Sequence, residues 1–297
     1  MRSQDAPDSS STEDEEPLPE TPEERVAATR AQLLERTNRS SVPIRRTFVQ
    51  APRGAAARHG MLSQFVRNGD RRALDAYLMI LALTSSGGPL DDNWTTTHPI
   101  RAWARLFGTT LSAQENSASN AVSKILSRLE DRQLIGRERK GRERKIQIRL
   151  LREDGSGEPY TRPKSADDRF LKLSHAYWLD GWIDKLSLPG LAMLLVALHE
   201  RPRFQLPTEH VPAWYGWSAD TAERGFDELR NHGLLGVTRR KRFEGGSPTG
   251  YVYVNTYELL RPFRTADERL KASSGGRTPA ATTTPTIAQF MQPGALY

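Results

Sequence analysis

Between residues 112 and 151 the spacing of apolar positions changes period. Val122, Ile125, Leu126 and Leu129 recur at i, i+3, i+4 and i+7, which lays one apolar stripe along an α-helix. At about 100° per residue, Ser117, Asn120, Lys124 and Ser127 fall on the opposite side. That outward face carries no acid before Asp131. Beyond Leu134 and Ile135 the pattern alternates, with Ile146, Ile148 and Leu150 on one strand face and Lys145, Gln147 and Arg149 on the other. Lys140-Gly141 supplies a turn. The predicted order is a helix over 117–131, a strand, a basic tip and a returning strand.

The same reading extends in both directions. Thr21-Pro22-Glu23-Glu24 has a capping-box arrangement, which starts a helix running to about Arg36 with a thin apolar face of Val26, Leu33 and Leu34. Leu74, Tyr77, Leu78, Leu81 and Ala82 predict a helix from Asp70 to Thr84, ended by Gly87-Gly88-Pro89. A short strand at 94–97 and a helix at 99–107 precede helix 117–131, which Ser112 or Ser117 caps. A second series follows, with a helix at 188–199, apolar on most sides, and a strand at 204–206. A helix at 209–214 comes next, then one at 219–232 capped by Ser218. The last expected element is a hairpin, 234–243 with 251–256.

Charge sharpens this picture. Residues 132–152 hold nine bases against two acids, a net of +7, whereas residues 1–24 carry a net of −8 and the remaining chain +15. A basic body of pI ≈ 9.8 favours a polyanionic partner. A helix that fits a major groove, followed by a cationic hairpin that reaches phosphates, is what duplex DNA recognition needs. A helix and hairpin with a merely solvated charged face is the plainer alternative.

The phrases LSRLEDRQLIGRER and WSADTAERGFDELRNHGLLGV resemble the recognition helix and wing of winged-helix DNA-binding proteins. The stretches LREDGSGEPYT and FLKLSHAYWLDGWIDKLSLP resemble tandem winged-helix proteins of actinobacteria. The resemblance implies a mainly α chain with small β-hairpin wings (α+β). The expected domains are an acidic disordered tail, short helix and flexible basic arm at 1–58, a first winged helix at 59–152 and a linker at 153–167. A second winged helix at 168–263 and a disordered tail at 264–297 complete the chain. Tyr177, Trp178 and Trp182 are expected to cover the helix at 188–199, or else to form an exposed dimer patch.

The expected function is sequence-specific binding of double-stranded DNA by a transcriptional regulator. Ser117, Asn120, Lys124 and Ser127 would read bases. Arg128, Arg137, Arg139, Lys140, Arg142, Arg144 and Lys145 would hold phosphates, joined by Arg239, Arg240, Lys241 and Arg242 of the second wing. Helix 219–232 turns Asp220, Arg224, Asp227 and Asn231 outward with Glu228 on its flank, an acidic face poorly suited to a DNA groove. Domain 1 is therefore expected to read sequence while domain 2 positions the protein or mediates self-association. Two rival readings stay open: a replication initiator of a plasmid or mobile element binding origin repeats, and a protein–protein adaptor using its winged-helix surfaces.

Other chemistries lack their residues. There is no cysteine, no GxxxxGK[ST] loop, and no HExxH or HxH among the six histidines. Neither catalysis nor a metal or other cofactor is expected. The longest apolar run, Leu191 to Leu198, is too short to span a bilayer, and the acidic start is unlike a secretory signal. A cytoplasmic, nucleoid-associated protein is expected, with a homodimer as its expected self-association. The C-terminal cluster of Ile287, Phe290, Met291 and Leu296 is a candidate peptide for a protein partner.

Overall fold

In the computed structural model, which describes residues 21–85, 94–112, 115–141, 145–163 and 168–264, the capping box at Thr21 forms. The Thr21 hydroxyl accepts from the Glu24 N–H at 3.1 Å, and the Glu24 carboxylate accepts from the Thr21 N–H at 3.0 Å. This starts α1 (Pro22–Glu35), whose buried side is Val26, Arg30 and Leu34. Next come β1 (Ser41–Arg45) and α2 (Arg46–Val49). They replace the flexible basic arm expected at 37–58. Val42, Ile44, Phe48 and Val49 are buried, and Arg45 is only 1% exposed, because this segment supplies a strand and part of the core.

After α3 (Leu62–Arg67), a short helix the spacing did not predict, the first helix–hairpin series follows in its expected order: α4 (Arg71–Thr84), β2 (Thr95–Pro99), α5 (Ile100–Leu106), α6 (Glu115–Asp131), β3 (Ile135–Lys140) and β4 (Lys145–Leu150). The strands form an antiparallel sheet ordered β2-β4-β3. Helix α6 buries Ala118, Val122, Ile125, Leu126 and Leu129, and the Trp103 indole of α5 donates to the Ile146 carbonyl at 3.1 Å. That bond ties the helical layer to the sheet.

The second series is β5 (Phe170–Ser174), α7 (Ala176–Leu179), α8 (Trp182–Lys185), α9 (Leu188–His199), α10 (Val211–Trp214), α11 (Ala219–Asn231), β6 (Leu235–Phe243) and β7 (Tyr251–Leu259). The strand expected at 204–206 reduces to one bridge between Phe204 and Tyr257. Helix α9 is buried from Gly190 to His199. It lies so close to α11 that a Cβ on Gly225 would sit 2.4 Å from the Pro189 carbonyl oxygen.

The two series are not separate bodies on a linker. Strand β1 pairs antiparallel with β5, Val42 opposite Leu173 and Ile44 opposite Leu171. Arg45 donates to Glu153 at 2.6 Å, to Asp168 at 2.8 Å and to the Thr161 carbonyl at 2.5 Å. Glu153, at the start of the expected linker, is 0% exposed. Its charge is tolerated there because a guanidinium with several acceptors meets it. Tyr177 and Trp178 are buried too, and the Tyr177 hydroxyl donates to Asp75 of α4 at 2.7 Å. Tyr177 thereby joins the two halves, and with both rings buried an exposed dimer patch built on them is ruled out. The described residues through Arg264 form one compact unit of mixed helix and small antiparallel sheets.

No helix among the described residues is long and apolar enough to cross a membrane. The expected tails at 1–20 and from Thr265 onward, with the C-terminal apolar cluster, lie outside the described residues, as does Gly87-Gly88-Pro89.

Candidate nucleic-acid interface

Helix α6 begins at Glu115, upstream of Ser117, so Ser117 lies in its first turn rather than capping it. Opposite the buried stripe, Asn116, Ser117, Asn120 and Lys124 are exposed. From Asn116 to Arg128 the helix contains no carboxylate. Asn120 and Lys124 are one turn apart and stand on the same face. An amide that both donates and accepts, beside a mobile ammonium, suits the acceptor-rich edges of purines in a major groove.

Two expected contact residues are committed elsewhere. The Arg137 guanidinium folds back from β3 onto α6. It donates to the Ser127 hydroxyl at 2.9 Å and the Ser123 carbonyl at 3.0 Å, and pairs with Glu130 at 2.7 Å. Ser127 is therefore half-buried under Arg137, and neither is a free reading or phosphate group. Arg137 instead fixes the angle of the hairpin against the helix. Arg128 is also tethered, at 2.6 Å from the buried Asp70, which Arg132 meets at 2.8 Å from its other oxygen. Half of the Arg128 side chain still faces solvent.

The hairpin supplies the cations that remain. Arg139 and Lys140 are exposed, Lys140 within 3.0 Å of Glu138, and Lys145 is half-buried across the ladder from Lys140. Gly141 turns with φ +64°, a left-handed value that suits glycine. Arg142 and Arg144, expected on this tip, lie outside the described residues.

One flank was not legible in the sequence. A shallow recess beside the first turns of α6 is lined by Arg25 of α1, Arg101 and Arg105 of α5, and Ser119. Arg105 donates to the Thr29 hydroxyl at 3.1 Å. Docking α1 across α5 brings a base from residue 25 next to residue 119, a proximity that no local spacing encodes.

Helix α11 differs from α6. Its exposed Asp220 pairs with Arg224 at 3.1 Å, and Asp227 with Arg230 at 2.8 Å. Glu228 is not available on the flank. Its carboxylate accepts from the Ser187 N–H at 2.6 Å and from the Ser187 hydroxyl, and thereby closes the start of α9. The acidic face is thus internally neutralised. Beyond it, β6 and β7 project with Arg239, Arg240, Lys241 and Arg242 all exposed. Arg239 lies over the Tyr253 ring at 4.0 Å, Lys241 over Tyr251 at 3.9 Å, and Arg242 pairs with Glu244 at 3.2 Å.

Among the described residues no group of three or more His, Asp or Glu side chains is placed to hold a metal ion. The chain matches no protein-family model, and comparison with curated proteins finds no match.

Proposed function

We propose that the protein binds double-stranded DNA through two winged-helix units held as one body, and that it regulates transcription by recognising a specific sequence. The observation that carries this reading is the α6 face. Asn116, Ser117, Asn120 and Lys124 stand exposed with no carboxylate among them, next to a hairpin of exposed bases. Helix, short strand, helix, helix and hairpin, with β2 completing the sheet, is also the order that a winged helix requires. In this reading Asn120 and Lys124 contact base edges. Arg139, Lys140 and Lys145, with the half-exposed Arg128, contact the backbone. The neutralised α11 face leaves the second unit a positioning role.

The test is selection of duplexes from a random-sequence library by the full chain. A shared site among the bound duplexes is expected, together with its loss in the Asn120→Ala, Lys124→Ala double variant. Bound duplexes sharing no motif, at an affinity equal to that for the starting library, would overturn sequence recognition.

A further inference from the structure

The hairpin β6–β7 carries a surface that duplex binding by α6 does not use. Its register sets Phe243 opposite Tyr251, Lys241 opposite Tyr253, Arg239 opposite Asn255 and Val237 opposite Tyr257. Strand side chains alternate between faces, so these residues share one side of the hairpin. At its base that side is core: Tyr257 stacks on Phe226 with ring centroids 4.4 Å apart and planes within 9°. Further out the same side leaves the body. There Phe243 is 72% exposed, Tyr253 61% and Tyr251 46%.

Three large rings in solvent at the end of one ribbon cost solubility unless they have a use. Their companions indicate which. Arg239 and Lys241 sit over Tyr253 and Tyr251, and Arg240 and Arg242 are exposed on the other side of the same strand. An apolar protein partner covering the rings would have to bury both cations with them, at a large desolvation cost. A polyanion with flat π-faces needs both features at once. Tyr251 and Tyr253 are two residues apart on one strand, about 6.8 Å. That is twice the rise of about 3.4 Å per nucleotide in a duplex strand, so the rings match bases splayed from the stack.

We infer that the outer face of β6–β7 is a stacking platform for single-stranded DNA, with Phe243, Tyr251 and Tyr253 receiving bases and Arg239 and Lys241 holding the adjoining phosphates. The surface is distinct from α6, and the inference stands whether or not α6 reads duplex sequence.

The experiment uses the full chain and fluorescently labelled oligo(dT), with a mixed-sequence duplex as the second probe. The parent protein binds oligo(dT) at low salt. The double variant Phe243→Leu, Tyr253→Leu keeps apolar area but removes the π-faces; it is expected to lose about tenfold or more in oligo(dT) affinity, with duplex affinity held within about twofold. Tyr253→Trp retains oligo(dT) binding. Both side chains are exposed, and unchanged circular dichroism confirms folding. A parent that fails to bind oligo(dT), or a leucine variant that binds it equally well, overturns the platform. So does a leucine variant that changes the sedimenting mass with oligo(dT) affinity unchanged, which would assign the face to a second copy of the chain.

Discussion

Arg45 and Glu153 meet at 2.6 Å, 1% and 0% exposed, and join a strand near the start of the chain to the segment that leaves the first hairpin. The same guanidinium reaches Asp168 at 2.8 Å, just ahead of β5. One side chain thus holds three sequence-distant segments where the halves meet. Arg45→Met leaves Glu153 buried without a counter-charge and is expected to destabilise the protein by about 3–5 kcal/mol, read from urea unfolding followed by circular dichroism. The Arg45→Met, Glu153→Met double variant should recover part of that loss. A single variant within 1 kcal/mol of the parent would mean the contact does not bind the halves together.

Gly225 marks the closest approach of α9 and α11. A Cβ there would meet the Pro189 carbonyl oxygen at 2.4 Å and the Met193 side chain at 2.5 Å. Backbone cannot move aside as a side-chain end can, so Gly225→Ala is expected to cost about 1–3 kcal/mol despite the better helix propensity of alanine. A thermal midpoint equal to or above that of the parent would show that the two helices separate freely.

His199 makes stability depend on pH. Burial, and then the nearby charges of Arg46 and Arg58, push its pKa down to about 3. Its Nδ1 has no hydrogen-bond partner, and its ring lies edge-on to Tyr215. The unfolded chain takes up a proton here near pH 6.5 that the folded chain refuses. Stability is therefore complete above that pH and falls as the pH drops towards 3, by up to about 1.4 kcal/mol per unit. Unfolding free energies at pH 7 and pH 5 should differ less in His199→Leu than in the parent. An equal difference in both proteins would exclude His199 as the source.

Asn120 and Lys124 are expected to separate recognition from attraction. Either alanine variant should cost about 1–3 kcal/mol on the preferred duplex, while Asn120→Ala, which removes no charge, should scarcely change binding to random duplex. Equal losses on both duplexes would remove α6 from base reading.

Arg139, Lys140 and Lys145 govern the salt response instead. If the first hairpin and its neighbours neutralise about four to six phosphates, log K should fall with log salt at a slope of roughly −4 to −5. Arg139→Glu with Lys140→Glu should flatten that slope for every duplex, and an unchanged titration would place the hairpin away from the DNA.

Short-range pattern determined much of this protein. The i, i+3, i+4, i+7 stripe through Val122, Ile125, Leu126 and Leu129, the alternation from Lys145 to Leu150, and the capping box at Thr21 all formed as read, because helix and strand periodicity and capping are local. Exposure of Asn120 and Lys124 follows from the same periodicity. Tertiary structure alone decided the rest. Val42 and Ile44 looked like residues of a basic arm until β5, more than 120 positions away, gave them a partner strand. Ser127 and Arg137 looked like two independent contacts, and the hairpin angle made them one hydrogen bond. Glu228 looked like surface charge until α9 brought Ser187 against it. A side chain's type limits what it can bind, but which groups reach it depends on long-range packing that no local spacing records.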